Sequence, residues 1–126
     1  MVERWSAPAA PASVGRLRTA VVGFAEEAGF SRKALADVRL AVSEALTNAV
    51  VHGYREGATG ELCVRARTRA GSLEVVVQDS GIGPKPRLDS PGLGLGLPLI
   101  AALTSDSSVT TAADGGTVVR MTFSGV

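Results

Sequence analysis

Glu44, Asn48 and His52 recur every four residues in an otherwise apolar stretch, so in a helix they would share one face. A solvated stripe with capping contacts is the simplest interpretation. Burying a carboxylate and an amide among apolar residues is costly without partners, so the alternative interpretation is a polar row that faces a ligand. In that case Asn48 could ligate a hard cation such as Mg²⁺, and Glu44 could deprotonate a nucleophile. His52, near the helix end, is expected to be structural.

Asp79 directly follows the predicted strand residues 75–78 and precedes Gly81 and Gly83. A turn is the simplest interpretation, because aspartate starts turns and glycine accepts positive φ angles. The functional alternative is a carboxylate at the edge of a sheet that accepts hydrogen bonds from an exocyclic amino group, such as that of adenine. The glycines would then let a planar ring approach the backbone closely.

Gly92, Gly94 and Gly96 lie just before Pro98, a residue that suits the first turn of a helix. They form either a flexible connector or a loop whose N–H groups, with the helix N-terminus, bind phosphates. The spacing matches neither the Gly-x-x-x-x-Gly-Lys-Ser/Thr loop nor the Gly-x-Gly-x-x-Gly fingerprint. The chain contains 15 glycines, and these two glycine-rich segments hold five of them.

The hydrophobic periodicity predicts the elements that position these residues. One helix is predicted from Ser13 as N-cap to about Ala28, and a second from Ser31 as N-cap to about His52, closed by Gly53. A short third helix covers 97–103. Strands are predicted at 3–6, 62–69, 73–78, 109–112 and 117–123. This order predicts an α/β two-layer sandwich with helices on one face of a mixed, mainly antiparallel sheet.

The composition fits one domain over residues 1–126, with residues 1–12 as a strand and extended lead-in. A hydrophobic content of 45% argues against disorder, and a net charge of +1 argues against a dominant nucleic-acid or membrane field. A single cysteine, Cys63, excludes an internal disulfide, and a single histidine excludes a multi-histidine metal centre. Without a secretory pattern or a long apolar span, the expected location is cytoplasmic.

The order of the three motifs resembles the GHKL family of ATP-binding domains, which share the Bergerat fold and include gyrase, histidine kinases and MutL. The resemblance covers about Leu17 to Phe123. It implies ATP and Mg²⁺ as cofactors, with Asn48 as the Mg²⁺ ligand and Asp79 binding the adenine amino group. It further implies that Gly81 and Gly83 shape the adenine pocket. Gly92, Gly94 and Gly96 would cover the phosphates, and Thr117 would support a network of adenine and water.

Segments 43–54 and 91–100 are similar to the anti-sigma factor serine-protein kinases of the RsbW and SpoIIAB type. This branch is favoured because the only histidine lies within the asparagine-bearing helix and because the chain ends before a transducer domain. The resemblance implies phosphorylation of a serine or threonine on a STAS-domain anti-sigma factor antagonist, with Glu44 as the base. It also implies sequestration of a sigma factor and a homodimer, without direct nucleic-acid or membrane contact. The alternatives are a non-catalytic, nucleotide-dependent partner-binding module and a domain that has lost its ligand.

Three smaller features allow two interpretations each. Lys85 and Arg87, in the short segment between the glycine motifs, either contact phosphate or belong to a solvated loop. The alternating arginines of the 62–69 strand form either a solvated face or a docking or dimer surface for an acidic partner. Trp5 either packs in the core or lies at an interface.

Overall fold

The computed structural model describes residues 1–55, 60–79, 96–113 and 116–125. Three helices lie within these ranges, α1 (Pro11–Glu27), α2 (Arg32–Arg55) and α3 (Gly96–Leu103). The strands are β1 (Val2–Pro8), β2 (Glu61–Arg69), β3 (Ser72–Asp79), β4 (Asp106–Thr111) and β5 (Thr117–Ser124). Every predicted helix and strand is thereby confirmed, with shifted ends. None of these helices is both long and apolar enough to cross a bilayer.

The five strands form one sheet in the order β1-β2-β3-β5-β4, and all four neighbouring pairs are antiparallel. Alternate residues of each strand point to opposite faces. One face is buried under the helices and includes Leu62, Val64, Val75, Val77 and Met121. The other face carries the arginines of β2. The predicted two-layer α/β sandwich is confirmed.

The helix α2 lies at the centre of the helical layer, between α1 and α3 and above β3 and β5. Its inward side chains Val38, Val42 and Leu46 are fully buried, which explains the apolar stretch on which Glu44 and Asn48 stand. Trp5 packs edge-to-face against Phe24 of α1, with ring centroids 6.1 Å apart. The core interpretation of Trp5 is therefore confirmed.

The ends of α1 and α2 agree only in part with the ends predicted from capping residues and glycines. Ser31 caps α2 as predicted, because its Oγ accepts a hydrogen bond from the Ala34 N–H at 3.1 Å. Ser13 was wrong as a cap, since Ala10 is the N-cap of α1, Pro11 occupies the first turn, and Ser13 lies buried within the helix. Gly53 does not close α2, which continues to Arg55. A single interior glycine costs only about 1 kcal/mol, less than tertiary packing supplies to a long helix.

Gly125 joins three parts of the fold. Its N–H donates to the Gly71 carbonyl in the β2–β3 turn at 2.8 Å, and its carbonyl accepts from the Ser31 N–H at 3.2 Å. A Cβ at this position would lie 2.9 Å from the Gly71 oxygen and 3.2 Å from the Phe30 ring. Position 125 therefore has no room for a side chain. Gly71 is favoured for a different reason, because its φ of 83° lies in the left-handed region.

Candidate functional site

Glu44 lies on the outward stripe of α2, together with Leu40, Thr47 and Val51. These residues are spaced by four, three and four positions, so they align along one side of the helix. Glu44 is half-buried, whereas Leu40 and Val51 expose 44% and 46% of their surface. The carboxylate therefore has two large exposed apolar side chains as neighbours on its stripe, an arrangement suited to a macromolecular partner.

Asn48 lies one helical turn after Glu44 and is half-buried as a residue, but its Nδ2 atom is buried. Within the described part of the chain, this nitrogen has no hydrogen-bond partner. A buried unsatisfied donor costs about 1–3 kcal/mol, so native structures rarely retain one without a reason. A ligand with acceptor oxygens would satisfy the amide, and the amide oxygen is a suitable ligand for Mg²⁺.

Arg18 of α1 meets α2 immediately before Glu44. Its Nη1 donates to Ser43 Oγ at 3.4 Å, and Ser43 Oγ donates to the Arg39 carbonyl at 2.7 Å. The Arg18 Nε is buried and, among the described residues, has no acceptor. Arg18 is not recognisable from the sequence, because its contact with Ser43 depends on how the two helices pack.

Asp79 is the last residue of β3 and is half-buried on the helix-covered side of the sheet. Its Oδ1 accepts a hydrogen bond from the Thr117 N–H, the first residue of β5, at 3.2 Å. Next to it Gly116 is buried, and its carbonyl accepts from the Ala112 N–H. The structure thus brings together Asp79 and Thr117, which are 38 positions apart in sequence and were both assigned to the adenine site.

The glycine-rich segments are only partly described. Gly96 is the first residue of α3, whose buried Ile100 fixes the helix against the core. The α3 N-terminus has no acidic residue in its first turn. The side chain of His52 is not among the described parts of the chain. Six of the predicted site residues also lie outside the described residues: Gly81, Gly83, Lys85, Arg87, Gly92 and Gly94.

The comparisons with known proteins agree with this geometry. The histidine kinase-like ATPase domain family matches residues 7–123. The serine-protein kinase RsbW of Bacillus licheniformis is 37% identical in an alignment that covers 91% of this chain and 80% of that protein. The RsbW of Listeria innocua is 37% identical and covers 79% of this chain and 73% of its own length.

A solved structure supports the same assignment. The crystal structure of the RsbU and RsbW domains of Rv1364c from Mycobacterium tuberculosis superposes on 98% of this chain with a TM-score of 0.77 and 25% identity. The match spans 32% of that longer chain. The predicted GHKL resemblance is confirmed, and the prediction of an ATP-dependent serine kinase is confirmed at the level of the family. The chain belongs to the histidine kinase-like ATPase domain family and, within it, to the serine-protein kinases of the RsbW type.

Proposed function

We propose that this protein transfers the γ-phosphoryl group of Mg-ATP to a serine or threonine hydroxyl of a STAS-domain anti-sigma factor antagonist. In the same proposal it also sequesters a sigma factor. The cytoplasm, which holds both ATP and the transcription machinery, is the compartment for this activity. A homodimer remains a prediction.

The observation that carries the proposal is the unpartnered buried amide of Asn48, one turn from the half-buried carboxylate of Glu44. Among the residues that the structure describes, this amide has no acceptor, and triphosphate oxygens are acceptors. Mg²⁺ binds through few protein ligands and several phosphate and water oxygens, so one amide oxygen suits it. When bound, this ion would neutralise charge that develops on the phosphates.

Asp79 is the residue proposed to recognise the adenine ring of ATP. Its Oδ1 accepts a hydrogen bond from the Thr117 N–H, which anchors one oxygen of the carboxyl group at the end of β3. We assign to this carboxylate the acceptance of hydrogen bonds from the adenine amino group, with Gly81 and Gly83 beside the ring.

Glu44 supplies the proposed proton acceptor. In the reaction, the partner's hydroxyl oxygen bonds to the γ-phosphorus, the bond from that phosphorus to the bridging oxygen breaks, and ADP leaves. The hydroxyl proton passes to the Glu44 carboxylate. The α3 N-terminus with Gly96 is assigned to the phosphates, as are Gly92, Gly94, Lys85 and Arg87.

The direct experiment incubates the protein with Mg²⁺, γ-labelled ATP and a STAS-domain protein from the same organism. We expect label on the STAS protein, at a serine or threonine. ATP binding without any transfer would contradict the kinase proposal and favour the non-catalytic partner-binding module. Absence of ATP binding would contradict both.

Replacing Asn48 by leucine tests the orphaned amide. Without ligand, Asn48→Leu is expected to raise the free energy of unfolding by about 1 kcal/mol, because a buried unsatisfied donor is removed. The variant is also expected to lose the stabilisation that Mg-ATP confers on the parent protein. Urea denaturation with and without Mg-ATP measures both effects.

The control for this variant is Thr47→Leu, which adds a leucine at the neighbouring exposed position of α2. We expect it to retain Mg-ATP stabilisation. If Asn48→Leu destabilises the ligand-free protein, the amide has a structural partner, and its assignment to the Mg-ATP site is wrong.

The exposed Leu40 tests whether the partner docks along the stripe that carries Glu44. Leu40→Ser is expected to raise the KM for the STAS protein about fivefold, since burying part of a leucine at an interface is worth about 1 kcal/mol. The KM for ATP should be unchanged. Val2→Ser, which alters a similarly exposed side chain on β1, is the matched control and should change neither value.

A further inference from the structure

The sheet face opposite the helices carries a row of arginines that crosses the strands. The register places Arg4 opposite Arg65, Arg65 opposite Val76, and Val76 opposite Arg120. With strands about 4.8 Å apart, the row spans about 14 Å across β1, β2, β3 and β5. Three of its four members are thus cationic, and the fourth is apolar.

The pair of Arg4 and Arg65 is unfavourable within this chain alone. Like charges directly opposite one another on neighbouring strands destabilise a sheet. Among the described residues, no carboxylate lies within ion-pair distance of either arginine. The one nearby glutamate, Glu74, is already shared, with Oε1 3.5 Å from Arg67 and Oε2 3.4 Å from Arg120.

The whole open face carries an excess of positive charge. The strand alternation places five arginines there against three carboxylates, Glu61, Glu74 and Asp106, whereas the entire chain has a net charge of +1. Two of the carboxylates, Glu61 and Asp106, are the first residues of β2 and β4. The positive charge is therefore concentrated where the described sheet is uncovered.

A shallow groove of about 280 Å³ lies within this charged surface. Arg4, Cys63, Arg65, Val76 and Gln78 line it. Its floor is apolar at Val76, and two of the row's arginines stand at its side. A ligand that presents carboxylates around an apolar side chain would complement both the arginines and Val76.

We propose that this open face, which we call the arginine face (Arg4, Arg65, Val76 and Arg120), is a docking surface for an acidic protein segment with an apolar anchor. A second copy of this chain is a poor occupant, because apposed faces would bring arginine rows together. The arginine face lies on the other side of the sheet from Asp79 and α2. Binding there leaves the proposed ATP site open, and the two sites can be occupied together.

The test uses a fluorescently labelled 16-residue peptide of repeated Glu-Glu-Leu-Glu and measures anisotropy at low and moderate ionic strength. We expect saturable binding that weakens with salt and is unchanged by Mg-ATP. Arg65→Glu and Arg4→Glu should each raise the Kd at least tenfold. Arg16→Glu, the same charge change at an exposed position of α1, should alter the Kd less than twofold.

A milder variant guards against misfolding. Arg65→Thr keeps a residue that favours strands, removes the repulsion with Arg4 and should raise the urea midpoint at low salt while weakening peptide binding. The proposal is overturned if the peptide does not bind, or if Arg16→Glu weakens it as much as Arg65→Glu. It is equally overturned if duplex DNA binds more tightly through Arg65, or if sedimentation reveals a dimer that Arg65→Glu dissociates.

Discussion

Replacing Glu44 by glutamine is expected to slow phosphoryl transfer to the protein hydroxyl by about 10²–10⁴-fold, the usual contribution of a positioned general base. Glutamine keeps the size of the side chain and loses the ability to accept a proton. The affinity for ATP should stay within about twofold, since the proposed nucleotide contacts come from other residues. Single-turnover transfer of labelled phosphate and calorimetric titration with ATP separate the two quantities.

A matched carboxylate-to-amide change is available at Glu27, which is exposed at the end of α1. Glu27→Gln should transfer phosphate at the parent rate. If Glu44→Gln retains a third or more of the parent rate, Glu44 is not the base. If transfer and ATP binding fall together, Glu44 has a structural role in α2.

Asp79→Asn is expected to weaken ATP binding roughly 10- to 150-fold, the effect of losing a hydrogen bond to a charged group worth about 1.5–3 kcal/mol. Asparagine retains an Oδ1 that can accept from the Thr117 N–H, so the junction of β3 and β5 is preserved. The other terminal group of asparagine is an NH₂, which donates hydrogen bonds and cannot accept one from the adenine amino group. Calorimetry with ATP gives the change in Kd.

A comparison of ATP with GTP sharpens this result. Guanine presents an acceptor oxygen where adenine presents its amino group, so the parent protein should prefer ATP and Asp79→Asn should reduce that preference. Asp106→Asn, at the exposed start of β4, is the control and should change neither Kd. Unchanged ATP binding in Asp79→Asn would remove the adenine assignment, even if phosphate transfer is intact.

Much of the fold followed from local patterns because those patterns have local physical causes. Leu62, Val64 and Ala66 alternate with Cys63, Arg65 and Arg67, and all three are buried as the period of two predicts. Ser31 capped its helix because the bond from Ala34 spans only three residues. Ser13 misled because the preceding Pro11 starts the helix one turn earlier.

Relations between site residues on the same helix could be predicted from the sequence. Contacts between residues on different strands or helices were harder to predict. The four-residue spacing of Glu44 and Asn48 gave their relation along α2, but the unpartnered Nδ2 depends on the packing around the helix. The contact of Asp79 with Thr117 requires β5 to lie between β3 and β4. Hydrophobic periodicity gives the existence of strands and leaves their order in the sheet open.

The glycine at position 125 changes how a mutational scan of this protein should be read. It lies beside the β2–β3 turn, at the opposite end of β3 from Asp79, roughly 23 Å along the strand. Any side chain there would collide with the Gly71 carbonyl. A mutational scan would therefore find position 125 as intolerant of substitution as a residue that contacts the nucleotide. Loss of activity at Gly125 would then report loss of folded protein, and only abundance-corrected scores would separate the two.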